Sequence, residues 1–201
     1  MSTARSATEA DLVRLCRTAM YAFAADPVMR WFFPDDDEYF GGDGLIMRPL
    51  MRRWLAHGHT YTTDDGVSVA AFLAPGRPDL EHDLELEPGS QPISPDLAAK
   101  FGAIGPIMQQ HTPPEPHWYL NLLGTHPHWQ RQGLGALVIS PVTAVCDRDG
   151  LPLYLETETI ENVSYYSHLG FSVRSEWDVP LDGPHMWGML RQPVGPASPR
   201  F

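Results

Sequence analysis

The stretch THPHWQRQGLGALVI, residues 125–139, joins an apolar segment with the character of a strand to one with the character of a helix. The junction carries Arg131 and two glycines, Gly133 and Gly135. The first turn of a helix has unpaired backbone N–H groups and the positive end of the helix dipole. Glycines there leave the N–H groups open to a ligand, and Arg131 adds a positive charge. The stretch therefore predicts a site for a phosphate or pyrophosphate, held largely by backbone.

Two familiar phosphate-binding patterns do not fit this stretch. A P-loop needs Gly-Lys followed by Ser or Thr, and no such sequence follows Gly135. In the dinucleotide fingerprint, Val138 stands where a third glycine or alanine is required. A helix start that binds an anion in another way is therefore expected.

Working outward, helical and strand-like periodicities alternate along the chain. We predict a hairpin around Asp65-Gly66 and an acidic, proline-rich insertion loop over residues 76–96. The predicted helices cover residues 8–24, 27–33, 44–58, 96–110, 133–150 and 161–170, and the later strands cover 117–125, 151–157, 171–180 and 185–193. This order predicts an α/β (α+β) domain whose sheet is parallel in the middle and antiparallel at its ends.

Composition limits the classes of function. The 201 residues, 43% of them apolar, suit one domain. The net charge of −11 argues against a nucleic acid or an anionic membrane as partner and favours cationic small molecules. Cys16 and Cys146 fall on apolar helix faces, so we expect no disulfide framework and a reducing compartment. With neither a signal peptide nor a membrane span in the sequence, we expect a cytoplasmic protein.

Three segments in fixed order resemble the GNAT superfamily of N-acetyltransferases. QRQGLGA (130–136) resembles its Gln/Arg-x-x-Gly-x-Gly/Ala signature, preceded by a cofactor strand, NLLGTHP (121–127). NVSYYSHLGF (162–171) resembles its Asn-x-x-x-Tyr-x-x-x-Gly-Phe segment, and the resemblance covers residues 117–192. The whole chain most resembles the puromycin N-acetyltransferase group, through AFAADP, Pro141, YLET and VPLDGPHMWGM.

The resemblance implies a GNAT fold, in which a central mixed sheet has splayed fourth and fifth strands and flanking helices. It implies one domain over residues 1–201, with an acceptor side (1–116) and an acetyl-CoA-binding core (117–192). Acetyl-CoA is the implied co-substrate, with its pantetheine arm paired to backbone between the splayed strands. The residues implied to bind it are Leu123, Gly124, Thr125, Gln130, Arg131, Gln132, Gly133, Leu134, Gly135, Ala136, Asn162 and Tyr166.

The implied reaction is direct attack of an amine on the acetyl group through a tetrahedral intermediate, which a backbone N–H stabilises. Tyr166 matches the family's general acid, and Asn162 would orient the cofactor arm. Family members often place a glutamate base on the fourth strand, but HWYLNLLGT has none. Glu156 is the first candidate for the base, with Glu115, His117 or a chain of waters as alternatives.

The acceptor is expected to be a small, cationic amine such as an aminonucleoside or antibiotic. Trp31, Phe32, Phe33 and Tyr39 flank the acids of residues 35–38, a combination that suits a flat cation, although the acids also fit an ordinary solvated run. The alternatives are a protein amine as acceptor or a non-catalytic acyl-CoA-binding module.

Two further expectations concern metals and assembly. The pairs His57-x-His59 and His126-x-His128 lack a third ligand at suitable spacing, so no metal is expected. The final strand is the predicted contact of a possible homodimer.

Overall fold

The computed structural model of the protein describes residues 3–41, 47–76 and 93–195. Most of the predicted insertion loop, residues 77–92, lies outside the described residues, as does the start of the helix predicted over 44–58. The strands of the described chain are β1 (Ala4–Ser6), β2 (Thr60–Thr63), β3 (Ser68–Leu73), β4 (Trp118–Thr125), β5 (Leu153–Thr157), β6 (Phe171–Asp178) and β7 (His185–Arg191).

The described strands form one sheet in the order β1-β2-β3-β4-β5-β7-β6. β4 and β5 run parallel, and every other neighbouring pair is antiparallel. The predicted mixed sheet is therefore confirmed. β7 lies between β5 and β6, so its backbone is paired on both sides and offers no free edge for the predicted dimer contact.

Helices cover both faces of the sheet. They are α1 (Leu12–Ala22), α2 (Pro27–Phe32), α3 (Asp36–Gly41), α4 (Met47–Ala56), α5 (Pro95–His111), α6 (Leu134–Asp149) and α7 (Ile160–His168). Side chains of β3 alternate between the layers: Val69 and Ala71 pack with α1 and α4, whereas Ala70 and Phe72 pack with α6. All of β3 is buried, as a strand between two layers must be.

The parallel pair in the middle of the sheet comes apart after two residues. Trp118 pairs with Leu153 and Tyr119 with Tyr154, and no later pair joins β4 to β5. β4 also has a bulge towards β3, because Leu120 faces Phe72 and Leu122 faces Ala71, which leaves Asn121 as the extra residue. A bulge bends its strand and strengthens the local twist. The strands are thus splayed. Beyond Tyr119, the edge of β4 that faces β5 has no partner strand among the described strands.

Candidate active site

A cavity of about 660 Å³ occupies the opening between the splayed strands. One part of its wall, which we call the loop end, comes from the segment Trp129–Gly135 and includes Trp129, Gln130, Arg131, Gly133, Leu134 and Gly135. Another part, which we call the carboxylate end, includes Asp26, Glu156 and Glu158. Apolar and aromatic side chains from α2, α4 and α5 complete the enclosure.

The backbone of the loop end is shaped to hold an anion. Arg131 (φ 60°) and Gly133 (φ 78°) are both left-handed, and Gly133 is the N-cap of α6 without any side-chain cap. Successive N–H groups in turns of this kind form concave anion-binding sites. The first N–H groups of α6 therefore lack a side-chain acceptor and border the cavity, with the exposed Arg131 beside them.

The two glycines of the loop end are needed for different reasons. A Cβ on Gly133 would meet no atom within 4 Å, so its left-handed backbone is what favours glycine there. A Cβ on Gly135 would lie 2.6 Å from the hydroxyl of Tyr165, which itself lines the cavity. Gly135 thus allows α6 and α7 to approach each other beside the cavity.

The splayed stretch of β4 fits an extended amide chain. Leu123 and Thr125 pair with β3 on one side and line the cavity. Gln130 Nε2 donates to the Thr125 carbonyl at 3.1 Å, which ties the loop end to the strand. Gly124 is buried, and a Cβ there would lie 3.1 Å from Ala22, so this glycine allows α1 to approach β4. Gln132 and Ala136 do not line the cavity.

Asn162 and Tyr166 from α7 line the cavity, one turn apart on the same helix face. Tyr166 is buried, with its ring 5.6 Å from that of Phe171, and burial raises the pKa of its phenol well above the usual value. The phenol is therefore protonated at neutral pH and can donate. Its neighbour Tyr165 also lines the cavity and is exposed.

Glu156 presents one bonded and one unbonded oxygen. The Tyr119 hydroxyl donates to Oε2, whereas Oε1 is shielded from solvent and has no hydrogen-bond partner among the described residues. Burial of the carboxyl outweighs its hydrogen bonds and raises its pKa to about 7. A carboxylate with such a pKa can accept a proton near neutral pH.

The two alternative bases do not line the cavity. Glu115 is exposed and lies 3.5 Å from Arg174, measured from Oε2 to Nη1. His117 Nδ1 lies 2.7 Å from the Glu115 carbonyl, and its ring packs against Tyr154. Glu156 is the only one of the three candidates that the fold brings to the cavity.

Two acids that the sequence analysis did not single out lie at the carboxylate end. Asp26 caps α2 by accepting from the Met29 N–H at 2.9 Å. Burial and a hydrogen bond with Asp26 raise the pKa of Glu158 to about 10. Of the described side chains lining the cavity, four are acidic and only Arg131 is basic; the acids are Asp26, Glu156, Glu158 and Glu161. The carboxylate end is thus suited to a cation.

The aromatic residues expected at the acceptor side divide into two groups. Phe32 and Phe33 line the cavity. Trp31 and Tyr39 do not: Trp31 Nε1 donates to the Leu181 carbonyl at 3.0 Å, and the Tyr39 hydroxyl donates to the Met20 carbonyl at 2.8 Å. Asp35 accepts from backbone at the start of α3, and Asp36 pairs with Arg30 at 2.7 Å. The acids of residues 35–38 therefore stabilise a helix start.

Three other features bear on the class of protein. Within residues 3–41, 47–76 and 93–195, no group of three or more histidines, cysteines or acids is placed to hold a metal ion. In the same ranges, no helix has the length and apolar character needed to cross a membrane. Cys16 and Cys146 are buried free thiols.

Comparison of the sequence with known families places these features in context. The model described as Acetyltransferase (GNAT) family matches residues 26–171. An uncharacterized N-acetyltransferase of Schizosaccharomyces pombe is 39% identical over 83 residues, which are 38% of this chain and 32% of that protein. The match therefore spans about a third of this relative's length.

Solved structures share the fold over nearly their whole length. The histone acetyltransferase HPA2 and related acetyltransferase of Corynebacterium glutamicum has a TM-score of 0.65 at 22% identity, covering 98% of this chain and 99% of that one. Arylalkylamine N-acetyltransferase 2 of Aedes aegypti has a TM-score of 0.61 at 13% identity, covering 95% and 98%. The family match includes both ends of the cavity and most of the 201 residues. The chain belongs to the GNAT family of acetyltransferases.

Proposed function

We propose that this protein is an acetyl-CoA-dependent N-acetyltransferase whose acceptor is a small, cationic amine of the aminonucleoside or antibiotic-like kind. The observation that carries the proposal is the single cavity that joins an anion-binding helix start to a cluster of acids. A likeness to puromycin N-acetyltransferase, through AFAADP, YLET and VPLDGPHMWGM, supports the choice of acceptor. The first two of these segments contribute Asp26 and Glu156 to the cavity.

Acetyl-CoA supplies an acetyl group activated as a thioester. The start of α6 and Arg131 would hold its diphosphate, in keeping with the open N–H groups of the loop end. Leu123 and Thr125 would pair with its amide arm, since the facing edge of β4 has no partner strand beyond Tyr119. Asn162 would orient that arm from α7. Residues 117–192 thus form the proposed acetyl-CoA-binding core, and residues 1–116 form the acceptor side of one domain.

Two side chains move protons in the proposed reaction. The ammonium form of the acceptor first releases one proton to solvent, and Glu156 Oε1 accepts the second as the neutral nitrogen bonds to the acetyl carbon. A backbone N–H near the splay stabilises the carbonyl oxygen as charge develops there. Tyr166 donates its phenolic proton to the sulfur as the carbon–sulfur bond breaks. A proton passed from Glu156 to Tyr166 through solvent returns both groups to their starting forms.

The carboxylate end provides the preference for a cation. The raised pKa of Glu158 keeps its carboxyl protonated and hydrogen-bonded to Asp26 near neutral pH, and the oxygens of the two carboxyl groups would accept hydrogen bonds from the ammonium group. Phe32 and Phe33 supply apolar surface for the rest of the acceptor. The buried free thiols Cys16 and Cys146 agree with action in a reducing compartment, and we propose the cytoplasm.

The experiment follows release of free thiol from acetyl-CoA with a panel of amines at fixed pH. The panel contains an aminonucleoside, an arylalkylamine, a diamine, a neutral aniline and a peptide with a free N-terminus. We expect turnover with the small cations. Turnover with the peptide alone would instead establish a protein amine as the acceptor, and acetyl-CoA binding without any turnover would establish a binding module.

A pair of variants tests the role of the acids. Asp26→Asn and Glu158→Gln each leave one carboxyl group in place, whereas the double variant removes both. A hydrogen bond to a charged group contributes about 1.5–3 kcal/mol, so we expect the double variant to lose about 10- to 100-fold in kcat/KM for cationic amines. Each single variant should lose less, and Glu176→Gln on the exposed face of β6 is the control. Equal losses for the neutral aniline would contradict cation recognition.

A further inference from the structure

We propose that Tyr119 is a positioning residue that holds Oε2 of Glu156, leaves Oε1 to the acceptor amine and sets the pH at which the enzyme becomes active. This inference rests on the proposed role of Glu156 as the base. It assigns to a β4 tyrosine the task of making a β5 glutamate useful, in a chain whose β4 has no acid of its own.

The sheet register places the two residues together. Tyr119 and Tyr154 form the last pair before β4 and β5 separate, with ring centroids 5.9 Å apart. Glu156 follows Tyr154 by two positions on β5, so it lies on the same face of the sheet. A side chain as long as tyrosine at the end of the paired region reaches along the opening to the carboxylate. Because the strands separate directly after Tyr119, its side chain can reach Glu156 across the opening.

The hydrogen bonds distinguish the two tyrosines. The Tyr119 hydroxyl donates to Glu156 Oε2, and Tyr119 lines the cavity. The Tyr154 hydroxyl also interacts with the carboxylate and lowers the pKa of Glu156, but less than Tyr119 does, and it donates to the His111 carbonyl at 3.3 Å. A phenol has one proton to donate. Tyr119 is therefore the main donor, and one carboxylate oxygen is left without a hydrogen-bond partner in the described structure.

The electrostatic surroundings make this donor matter. Burial favours the neutral form of Glu156. Glu158, which is hydrogen-bonded to Asp26, adds further acidic groups near the Glu156 carboxyl. From β6, Arg174 acts on Tyr154. The Tyr119 bond opposes burial and lowers the pKa of Glu156. Burial and the nearby Glu156 raise the pKa of Tyr119 itself, so its phenol stays protonated and remains a donor across the working pH range.

The test compares Tyr119→Phe with wild type in a pH profile of kcat/KM, using the same amine and acetyl-CoA so that titration of the substrate cancels. Without the donor, Glu156 should ionise at higher pH. We expect the acidic limb to move up by about one pH unit, so that activity at pH 6 falls about tenfold while activity at high pH recovers. Tyr61→Phe, a change of the same kind on β2 away from the cavity, should leave the limb in place.

Three results would overturn the inference, and the Glu156→Gln variant separates it from the proposed function. If the acidic limb of the pH profile stays in place in Tyr119→Phe but disappears in Glu156→Gln, Glu156 is the base and Tyr119 does not set its ionisation. If the acidic limb persists in Glu156→Gln, Glu156 is not the base, and the role inferred for Tyr119 fails with it. A lower melting temperature with the same proportional loss at every pH would show that Tyr119 serves packing alone.

Discussion

The two ends of the cavity are built in different ways. The loop end is one continuous segment, Trp129–Gly135, and presents backbone N–H groups and an exposed arginine. The carboxylate end gathers Asp26, which caps α2, with Glu156 and Glu158 from β5 and the residues after it. Backbone geometry is fixed by local sequence, whereas converging side chains need the whole fold. The loop end can thus be recognised in a sequence, whereas the convergence of Asp26 and Glu158 on Glu156 is recognised only in a structure.

The ends also differ electrostatically. Arg131 is exposed, so solvent screens its charge. At the carboxylate end, burial raises the pKa of Glu156 to about 7 and that of Glu158 to about 10. Burial of this kind tunes an acid to act near neutral pH. Variants at the carboxylate end should therefore change the chemical step and its pH dependence, and variants at the loop end should change binding of acetyl-CoA.

The largest expected effect is that of Glu156→Gln. The amide keeps an acceptor for Tyr119 but cannot take a proton, and a general base contributes about 10²- to 10⁴-fold. We expect kcat/KM to fall within that range and the limb near pH 7 to disappear, with the affinity for acetyl-CoA unchanged in calorimetry. If the affinity for acetyl-CoA fell as much as turnover, the carboxylate end would also contribute to binding of acetyl-CoA, which contradicts the division of roles between the two ends.

Stability provides the control for this variant. The unfolded carboxyl ionises at its usual pKa of 4.5 and the folded one at about 7, so the folded state binds more protons between these values. The free energy of unfolding should therefore decrease as pH rises through this window. Glu156→Gln removes this penalty, and we expect its melting temperature at pH 8 to equal or exceed that of wild type. A marked drop at pH 8 would point to misfolding as the cause of lost activity.

A smaller effect is expected where α7 meets the cavity. Tyr166→Phe removes one oxygen and keeps the ring packed on Phe171, so stability and acetyl-CoA affinity should barely change. A thiolate is a tolerable leaving group, so we expect kcat to fall by about 10²-fold, the lower part of the range for a general acid. Tyr165→Phe is the control, because Tyr165 also lines the cavity but has no proposed role in proton transfer. Activity of Tyr166→Phe within about twofold of wild type would exclude the general-acid role, provided that chemistry limits kcat.

Much of the fold follows from local pattern. The hairpin at Asp65-Gly66 and the strand-helix-strand order around the cavity are as predicted. β1 was missed because three residues show no period, and it forms only by pairing Ala4–Ser6 with β2. α3 was missed because its acids resemble a solvated run, although Asp35 caps the helix. β7 was the predicted dimer contact, but it lies between β5 and β6 because the order of strands in space differs from their order in the chain.

The site follows the same division. The loop end was found from its local pattern, and the α7 residues Asn162 and Tyr166 were found through the resemblance of NVSYYSHLGF to a family segment; both groups line the cavity. Asp26 and Glu158 were missed, since nothing in either segment indicates that the start of α2 lies opposite the end of β5. The Asp-Pro pair does indicate where α2 begins, because it forms an N-cap, but it does not indicate which residue Asp26 contacts. Contacts between distant segments are what sequence reasoning could not supply.

The smallest expected effect concerns the loop end and sharpens what its glycines do. A Cβ on Gly135 would lie 2.6 Å from the Tyr165 hydroxyl, the movable end of an exposed side chain. Gly135→Ala should therefore fold and push Tyr165 into the cavity, weakening acetyl-CoA binding by about 1 kcal/mol, or about fivefold, in calorimetry. Removing that hydroxyl with Tyr165→Phe should restore most of the loss, as a double-mutant cycle measures. Gly102→Ala on α5, whose Cβ would meet no atom within 4 Å, is the matched control. Additive losses in the cycle would mean that the alanine methyl obstructs the ligand directly, and the loop end would then exclude side chains for the ligand's sake rather than for the packing of α7.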